Sequence, residues 1–267
     1  MGRAPAVAGF FYPKDSASLT ETLRALCPGT APGEPALGLV VPHAGYRYSG
    51  RVAGEAFGRV AIPRQVLLVG PNHRGGGHPL AVMGRGTWEM PLGAVPINES
   101  LAAALLRASS LFQEDPRPHA DEHSLEVEVP FLQHRNPRVE IVPVTVAHLR
   151  LAACAEAGRA VAQVIREAPE PVLLVASTDL THYEPHEQAM AKDALAIDRI
   201  RMLDPGGLLE TAAAHDISMC GLYATALALE AWRALGAREA ELVAYATSGD
   251  AGGDRASVVG YAGLVIR

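Results

Sequence analysis

The sequence predicts an α/β fold: a single domain, residues 1–267, with a central, mostly parallel or mixed sheet flanked by helices. Three observations carry this. Short continuous apolar runs such as LGLVV, QVLLVG, VEIVPV and PVLLVAS have the composition of strands buried on both faces. Segments with helical periodicity alternate with these runs, as crossover helices do between parallel strands. No low-complexity stretch, linker or fixed-period repeat breaks the alternation.

The elements follow in order. Ser18 and Glu21 have capping-box spacing, and Leu19, Leu23 and Leu26 recur at helical intervals, which predicts a first helix. LGLVV, ended by Pro42, is the first buried strand; residues 50–60 form a helix and QVLLVG the next strand. Glycines at 84, 86 and 93 punctuate GRGTWEMPLGAVPI, which predicts turns and a hairpin over the sheet. Asn98 is placed to cap LAAALLRA. In HSLEVEVPFLQ, Leu125, Val129 and Leu132 share a helical face, and Pro130 must kink or shorten that helix because it has no amide to donate. VEIVPV is a strand, CAEAGRAVAQVIREA a helix and PVLLVAS a strand. EQAMAKDALAIDRIRML is an amphipathic helix with Met190, Ile197 and Ile200 inward. CGLYATALALEAWRAL is apolar nearly all round, hence buried, and stops at Gly236. ELVAYAT and ASVVGYAGLVI close the chain as strands.

Bulk properties exclude several function classes. With 49% hydrophobic and 19% charged residues the chain has material for a sizeable core and is not disordered. A net charge of −6 and no Lys/Arg cluster argue against nucleic acid or an anionic membrane as partner. Cys27, Cys154 and Cys220 are widely spaced and odd in number, which suits a reducing cytosol better than a disulfide framework. The N-terminal MGRAPAVAGFFYP is too interrupted by proline for a signal peptide, Ala6 breaks the myristoylation pattern, and no apolar run reaches the ~18 residues of a membrane helix. The expectation is a soluble, cytoplasmic protein.

The chemistry concentrates where the apolar runs end. His43 follows LGLVV, His73 follows QVLLVG, and Asp179 and His182 follow PVLLVAS. Ligands of an open α/β sheet bind outside the carboxyl ends of its strands, and right-handed crossovers bring those ends to one edge. These residues are therefore expected to share a pocket. His123, in the polar DEHSLE stretch, is intermediate; His78, His119, His134, His148, His186 and His215 lack such positions and read as ordinary. Cys220, in SMCGLYATA, opens the most apolar helix, where unpaired amides and the helix dipole favour a thiolate. Cys27 and Cys154 read as structural. Two histidines with a cysteine accommodate Zn, Cu or Fe, whereas two histidines with Asp179 would form a facial triad for non-haem Fe(II); the residues alone leave both open. GPNHRGGGH lacks the ending of a phosphate loop, no GxSxG, HExxH or CxxC motif occurs, and turn chemistry accounts for the aspartates of SGDAGGDRAS.

AVAGFFYP, VPHAGYRYSG, GPNHR, MPLGAV, DEHSLEVEVPFLQ, STDLTHY and MCG occur in this order nearly end to end, and on them the chain resembles the Memo family, which includes the AmmeMemoRadiSam system protein B group. The resemblance implies a fold similar to class III extradiol dioxygenases. It implies that His43, His73 and Cys220 are metal ligands, Cys220 standing where the dioxygenases have a glutamate. Asp179 and His182 would line the same pocket as catalytic groups, His182 as proton shuttle, and Glu122 and His123 would stand behind the ligands and orient them. Iron or copper is the implied metal, with zinc also compatible, and redox activity the implied function. A dioxygenase acting on an aromatic diol with Fe(II), and a non-catalytic module for a peptide or small ligand, are the alternatives. An AMMECR-type protein and a radical SAM enzyme are the implied partners. A thiolate in place of a carboxylate shifts the site toward softer metals and makes the ligand itself oxidisable.

Overall fold

The structure is a computed structural model, and it describes residues 2–27, 33–252 and 254–267. In chain order the elements are β1 (Gly2–Arg3), α1 (Ser16–Leu26), β2 (Gly38–Val41), α2 (Tyr46–Arg59), β3 (Gln65–Pro71), β4 (Leu80–Val82), β5 (Thr87–Trp88), β6 (Val95–Pro96), α3 (Glu99–Ala108), β7 (Gln113–Glu114), α4 (Val129–Arg135), β8 (Glu140–Val146), α5 (Leu151–Glu167), β9 (Val172–Ser177), β10 (His182–Glu184), α6 (His186–Arg201), α7 (Pro205–Ala214), α8 (Leu222–Leu235), β11 (Ala240–Thr247) and β12 (Val258–Ile266).

The apolar runs form the parallel heart of a mixed sheet. β2, β9, β3 and β8 lie side by side in that order, all parallel, and every residue of β2, β3 and β9 is buried. Antiparallel strands complete both sides: β12 beside β2, with β11 and β10 on β12, and β4 beside β8, with β7 beyond it. Burial on both faces requires helices on both. α8 packs on one, and Gly38 permits the approach, because a Cβ there would lie 2.1 Å from the Trp232 Nε1 atom. α2 covers the opposite face, against β2, β11 and β12. β5 and β6 form the expected hairpin, and β1 pairs with it in a separate small sheet. Among the described residues no helix is long and apolar enough to cross a membrane.

Local chemistry moves several boundaries. Asp15 caps α1 by accepting the Ser18 amide at 2.9 Å, so Ser18 is not the cap and the helix begins earlier than its capping-box spacing predicts. Asn98 caps α3 through the Leu101 amide as expected, and Gly236 ends α8 in the left-handed conformation with φ +92°. HSLEVEVPFLQ is not one helix. A 3₁₀ turn over Glu126–Glu128 leads into α4, and Pro130 sits in the first turn, where a missing amide costs nothing. Met190 is 40% exposed, contrary to its expected inward place. The buried stripe of α6 instead runs through Ala189, Asp193, Ala196, Ile197 and Ile200, and Asp193 is tolerated there because the Thr181 amide and the Tyr245 hydroxyl donate to it. α7, which hydrophobic periodicity did not single out, is capped by Asp204 accepting the Gly207 amide.

One buried carboxylate fastens the N-terminal arm. Glu126, fully buried, accepts from Arg3 Nη1 at 2.7 Å, the amides of Ala6 and Val7 at 2.7 and 3.0 Å, and the Tyr12 hydroxyl at 2.7 Å. Arg3 also donates to the carbonyls of His119 and Glu122 and lies over the Trp88 ring, 4.2 Å from its centroid. The arm thus lies along residues 117–128 and carries Phe10 and Phe11 to the carboxyl end of the sheet.

Removing one partner of a buried ion pair strands the other. Glu126→Ala is therefore expected to destabilise the fold by about 3–5 kcal/mol in denaturant titrations; a loss under ~1 kcal/mol would show that the arm is not anchored there. His119 gives a second test. Burial, aided by Arg3 and opposed by the Ala81 carbonyl that its Nε2 contacts, holds its pKa at about 4 against an ordinary 6.5. As pH falls from 6.5 toward 4 the unfolded chain takes up a proton that the folded chain refuses, so stability is lost across that window. The advantage of wild type over His119→Phe is expected to shrink there by about 1.4 kcal/mol per pH unit; a constant difference would contradict it.

Candidate metal centre

Parallel pairing delivers the strand ends to one edge, and an open cleft of about 660 Å³ lies there. His43 follows β2, His73 follows β3 and Asp179 follows β9; His182 is in β10, and Cys220 lies just ahead of α8. All five line the cleft, together with His123. Gly221 allows Cys220 its place: a Cβ there would lie 2.4 Å from the Ser177 carbonyl oxygen.

Three imidazoles converge on the floor. One ring nitrogen each of His43, His73 and His123 lies within 4.8 Å of the other two. His73 and His123 stack with centroids 4.6 Å apart, and His43 stands edge-on to both at 5.2 and 5.5 Å. His123 thus stands beside His43 and His73 rather than behind them. Cys220 meets this group through His43, its Sγ 3.4 Å from Nε2.

Glu122 sets the arrangement. Its carboxylate accepts from the His73 amide at 2.6 Å, His73 Nδ1 at 2.9 Å, the His123 amide at 2.8 Å and the Ser124 amide at 2.9 Å. Burial opposes its ionisation, but these donors and the neighbouring imidazoles outweigh burial and hold its pKa at about 2. An ionised Glu122 fixes the proton of His73 on Nδ1 and leaves Nε2 as its free nitrogen. His43 is fixed from the other side: Nδ1 lies 2.7 Å from Ser177 Oγ, and its amide donates to Asp179 Oδ1 at 2.8 Å. Burial first, then the like-charge neighbours His123 and His73, keep His43 neutral by pushing its pKa well down, and burial holds His123 at about 4.

Cys220 does not fit the thiolate expectation. It precedes the helix, whose N-cap is Gly221, and burial, reinforced by the Asp179 carboxylate, pushes its thiol well above the ordinary value. Burial outweighs the dipole. The Asp179 amide donates to its Sγ at 3.2 Å, and burial raises the Asp179 carboxyl itself to about 7 against the amides of His43 and Ala44. His182 donates from Nδ1 to the Ser218 carbonyl at 2.9 Å, which leaves Nε2 as an acceptor.

The rim carries signals that sequence reasoning missed. Phe10, Tyr48 and Tyr183 line the cleft while exposed, Phe10 and Tyr183 by 89% and 78%. Tyr183 has φ +60°, a left-handed conformation that disfavours a side chain. Among the described residues no Lys or Arg lines the cleft. Ser177 and Ser218, which orient His43 and His182, also went unnoticed; their small polar side chains have no spacing to mark them.

The chain matches the family model of Memo-like proteins over residues 3–265. It is 43% identical over 281 residues to a MEMO1 family protein of Methanopyrus kandleri, covering 100% of this chain and 99% of that one. A MEMO1 family protein of Thermotoga maritima is 40% identical over 282 residues, covering both chains completely. Among solved structures, an uncharacterized protein of Escherichia coli K12 shares the fold with a TM-score of 0.57 at 15% identity, covering 86% of this chain and 99% of that one. With a family match across nearly its whole length and relatives above 40% identity, the chain belongs to the Memo family.

Proposed function

We propose that the chain binds a redox-active metal, iron or copper, on His43, His73 and His123 with Cys220 beside them, and acts on a small ligand held in the cleft. The observation that carries this reading is the convergence of three imidazole nitrogens within 4.8 Å on the floor of an open cleft. The donors fit such a metal: imidazole nitrogen and cysteine sulfur suit Fe, Cu and Zn, whereas Mg and Ca take oxygen ligands. Cys220 must lose a proton to ligate, so the imidazole nitrogens are the donors available before a metal binds. When bound, iron or copper supplies electron exchange with a ligand or with dioxygen.

The protein's own groups do the rest. Glu122 holds the His73 ring in one orientation, and Phe10 and Phe11 add apolar surface to the cleft. His182, with Nδ1–H committed to Ser218, accepts a proton at Nε2 from a bound hydroxyl. Asp179, with a pKa of about 7, is poised to hold or release a proton near neutrality.

One observation favours a second reading, an extradiol-type dioxygenase using Fe(II). The aromatic rim and the lack of a cation in the cleft suit a flat, uncharged diol better than an anion. Oxygen uptake across a panel of catechols tests it, and no turnover with any of them removes it.

Elemental analysis of protein purified without an affinity tag, after anaerobic incubation with Fe(II), Cu(I) and Zn(II), tests the main reading. Near-stoichiometric iron or copper is expected in wild type, lost in His73→Ala and His123→Ala and weakened in Cys220→Ala. Zinc alone would contradict redox chemistry, and no metal would leave a non-catalytic binding module. The rim has its own test. Tyr183→Gly relieves the left-handed strain and removes the ring, so the variant is expected to be at least as stable as wild type yet to bind a catechol about 3–10-fold more weakly. Lost stability with unchanged binding would show that Tyr183 serves the fold.

A further inference from the structure

One buried acid has no part in the cleft chemistry above. Glu128 is fully buried in the 3₁₀ turn ahead of α4. Its Oε1 lies 2.9 Å from Ser177 Oγ, and among the described residues its Oε2 has no hydrogen-bond partner. Ser177, the last residue of β9, is equally buried and has two further close neighbours: the Ser124 carbonyl oxygen and His43 Nδ1, each 2.7 Å from Oγ.

Counting protons settles who donates. A serine hydroxyl has one hydrogen and two lone pairs. The Ser124 carbonyl can only accept, so a 2.7 Å contact there requires the Ser177 hydrogen. Both lone pairs of Ser177 Oγ then face donors. His43 must present Nδ1–H, and Glu128 must carry a hydrogen on Oε1. An ionised Glu128 would instead leave two acceptors, 2.7 and 2.9 Å away, competing for one hydroxyl hydrogen, with a charged Oε2 buried and unpaired. In the neutral acid Oε2 is a carbonyl oxygen, far cheaper than an anion to bury without a partner among the described residues.

We infer that Glu128 is a neutral, protonated acid that, through Ser177, holds His43 as its Nδ1–H tautomer and so reserves His43 Nε2 for the floor of the cleft. Burial drives the acid in the same direction, with the Asp179 carboxylate adding to it. The other titratable group packed near it, Tyr46, is neutral as well, its hydroxyl donating to the Val127 carbonyl at 2.8 Å. Glu128 is a positioning residue, since it reaches the cleft only through Ser177 and His43. The consequence for ligand binding rests on the metal reading; the proton assignment does not.

The test therefore begins with metal-free protein near neutral pH. Nitrogen-15 spectra of the His43 ring are expected to show hydrogen on Nδ1 and a bare Nε2, and infrared difference spectra a carboxylic-acid carbonyl band that disappears in Glu128→Gln. The glutamine amide can still donate to Ser177, so Glu128→Gln is expected to keep the tautomer and to keep zinc affinity within about threefold. Glu128→Leu and Ser177→Ala break the chain and are expected to mix the tautomers and weaken zinc binding by about 10–100-fold. An absent acid band, or hydrogen on Nε2 in wild type, would overturn the inference. So would Glu128→Leu and Ser177→Ala spectra identical to wild type. Should Glu128→Leu fail to fold, the wild-type, Glu128→Gln and Ser177→Ala spectra still decide it. Should wild type bind no metal, the same spectra separate that failure from this one.

Discussion

A carboxylate taken out of water must have its charge matched or removed. Residues 122–128 meet that constraint three times, each in a different way, and the rest of the site depends on the result. Glu122 stays ionised because four N–H groups point at it, and those donors are the amides and ring that place His73 and His123. Glu126 is matched by Arg3, and the pairing lays the N-terminal arm beside the cleft. Among the described residues Glu128 is paired with no cation, and its hydrogen bond to Ser177 reaches His43. The strand ends bring the ligands to one edge; this segment decides how they face.

The strands were legible because a parallel sheet buried on both faces demands continuous apolar runs, and the parts of LGLVV, QVLLVG and PVLLVAS that form β2, β3 and β9 are buried at every residue. Periodicity misled where a polar residue belonged inside. Asp193 occupies the buried stripe of α6 and Met190 does not, because Thr181 and Tyr245 satisfy the carboxylate. His43, His73 and Asp179 could be gathered from the topology, since each follows a parallel strand. His123 could not. It lies in the polar DEHS stretch ahead of the apolar helical face, and its place beside the other two rings comes from stacking on His73 and from Glu122, which accepts both its amide and the distant His73 ring.

Cys220 shows how burial can reverse a local electrostatic expectation. A cysteine ahead of an apolar helix looks poised for ionisation, yet it sits one residue outside the N-cap and against Asp179, where burial and that carboxylate favour the protonated thiol. The floor of the cleft is thus rich in imidazole nitrogen, with a thiol and a carboxyl of near-neutral pKa at its margin. The exposed aromatic side chains above it complete a site with an apolar entrance and an imidazole-lined base, which suits the proposed binding of a flat molecule beside a metal.

Anomalous diffraction from crystals loaded anaerobically with Fe(II) or Cu(I) tests the central claim most directly. One strong peak is expected, bounded by the free ring nitrogens of His43, His73 and His123, with Cys220 Sγ beside it. A peak that leaves His123 uncoordinated, or no peak in the cleft at all, would contradict it.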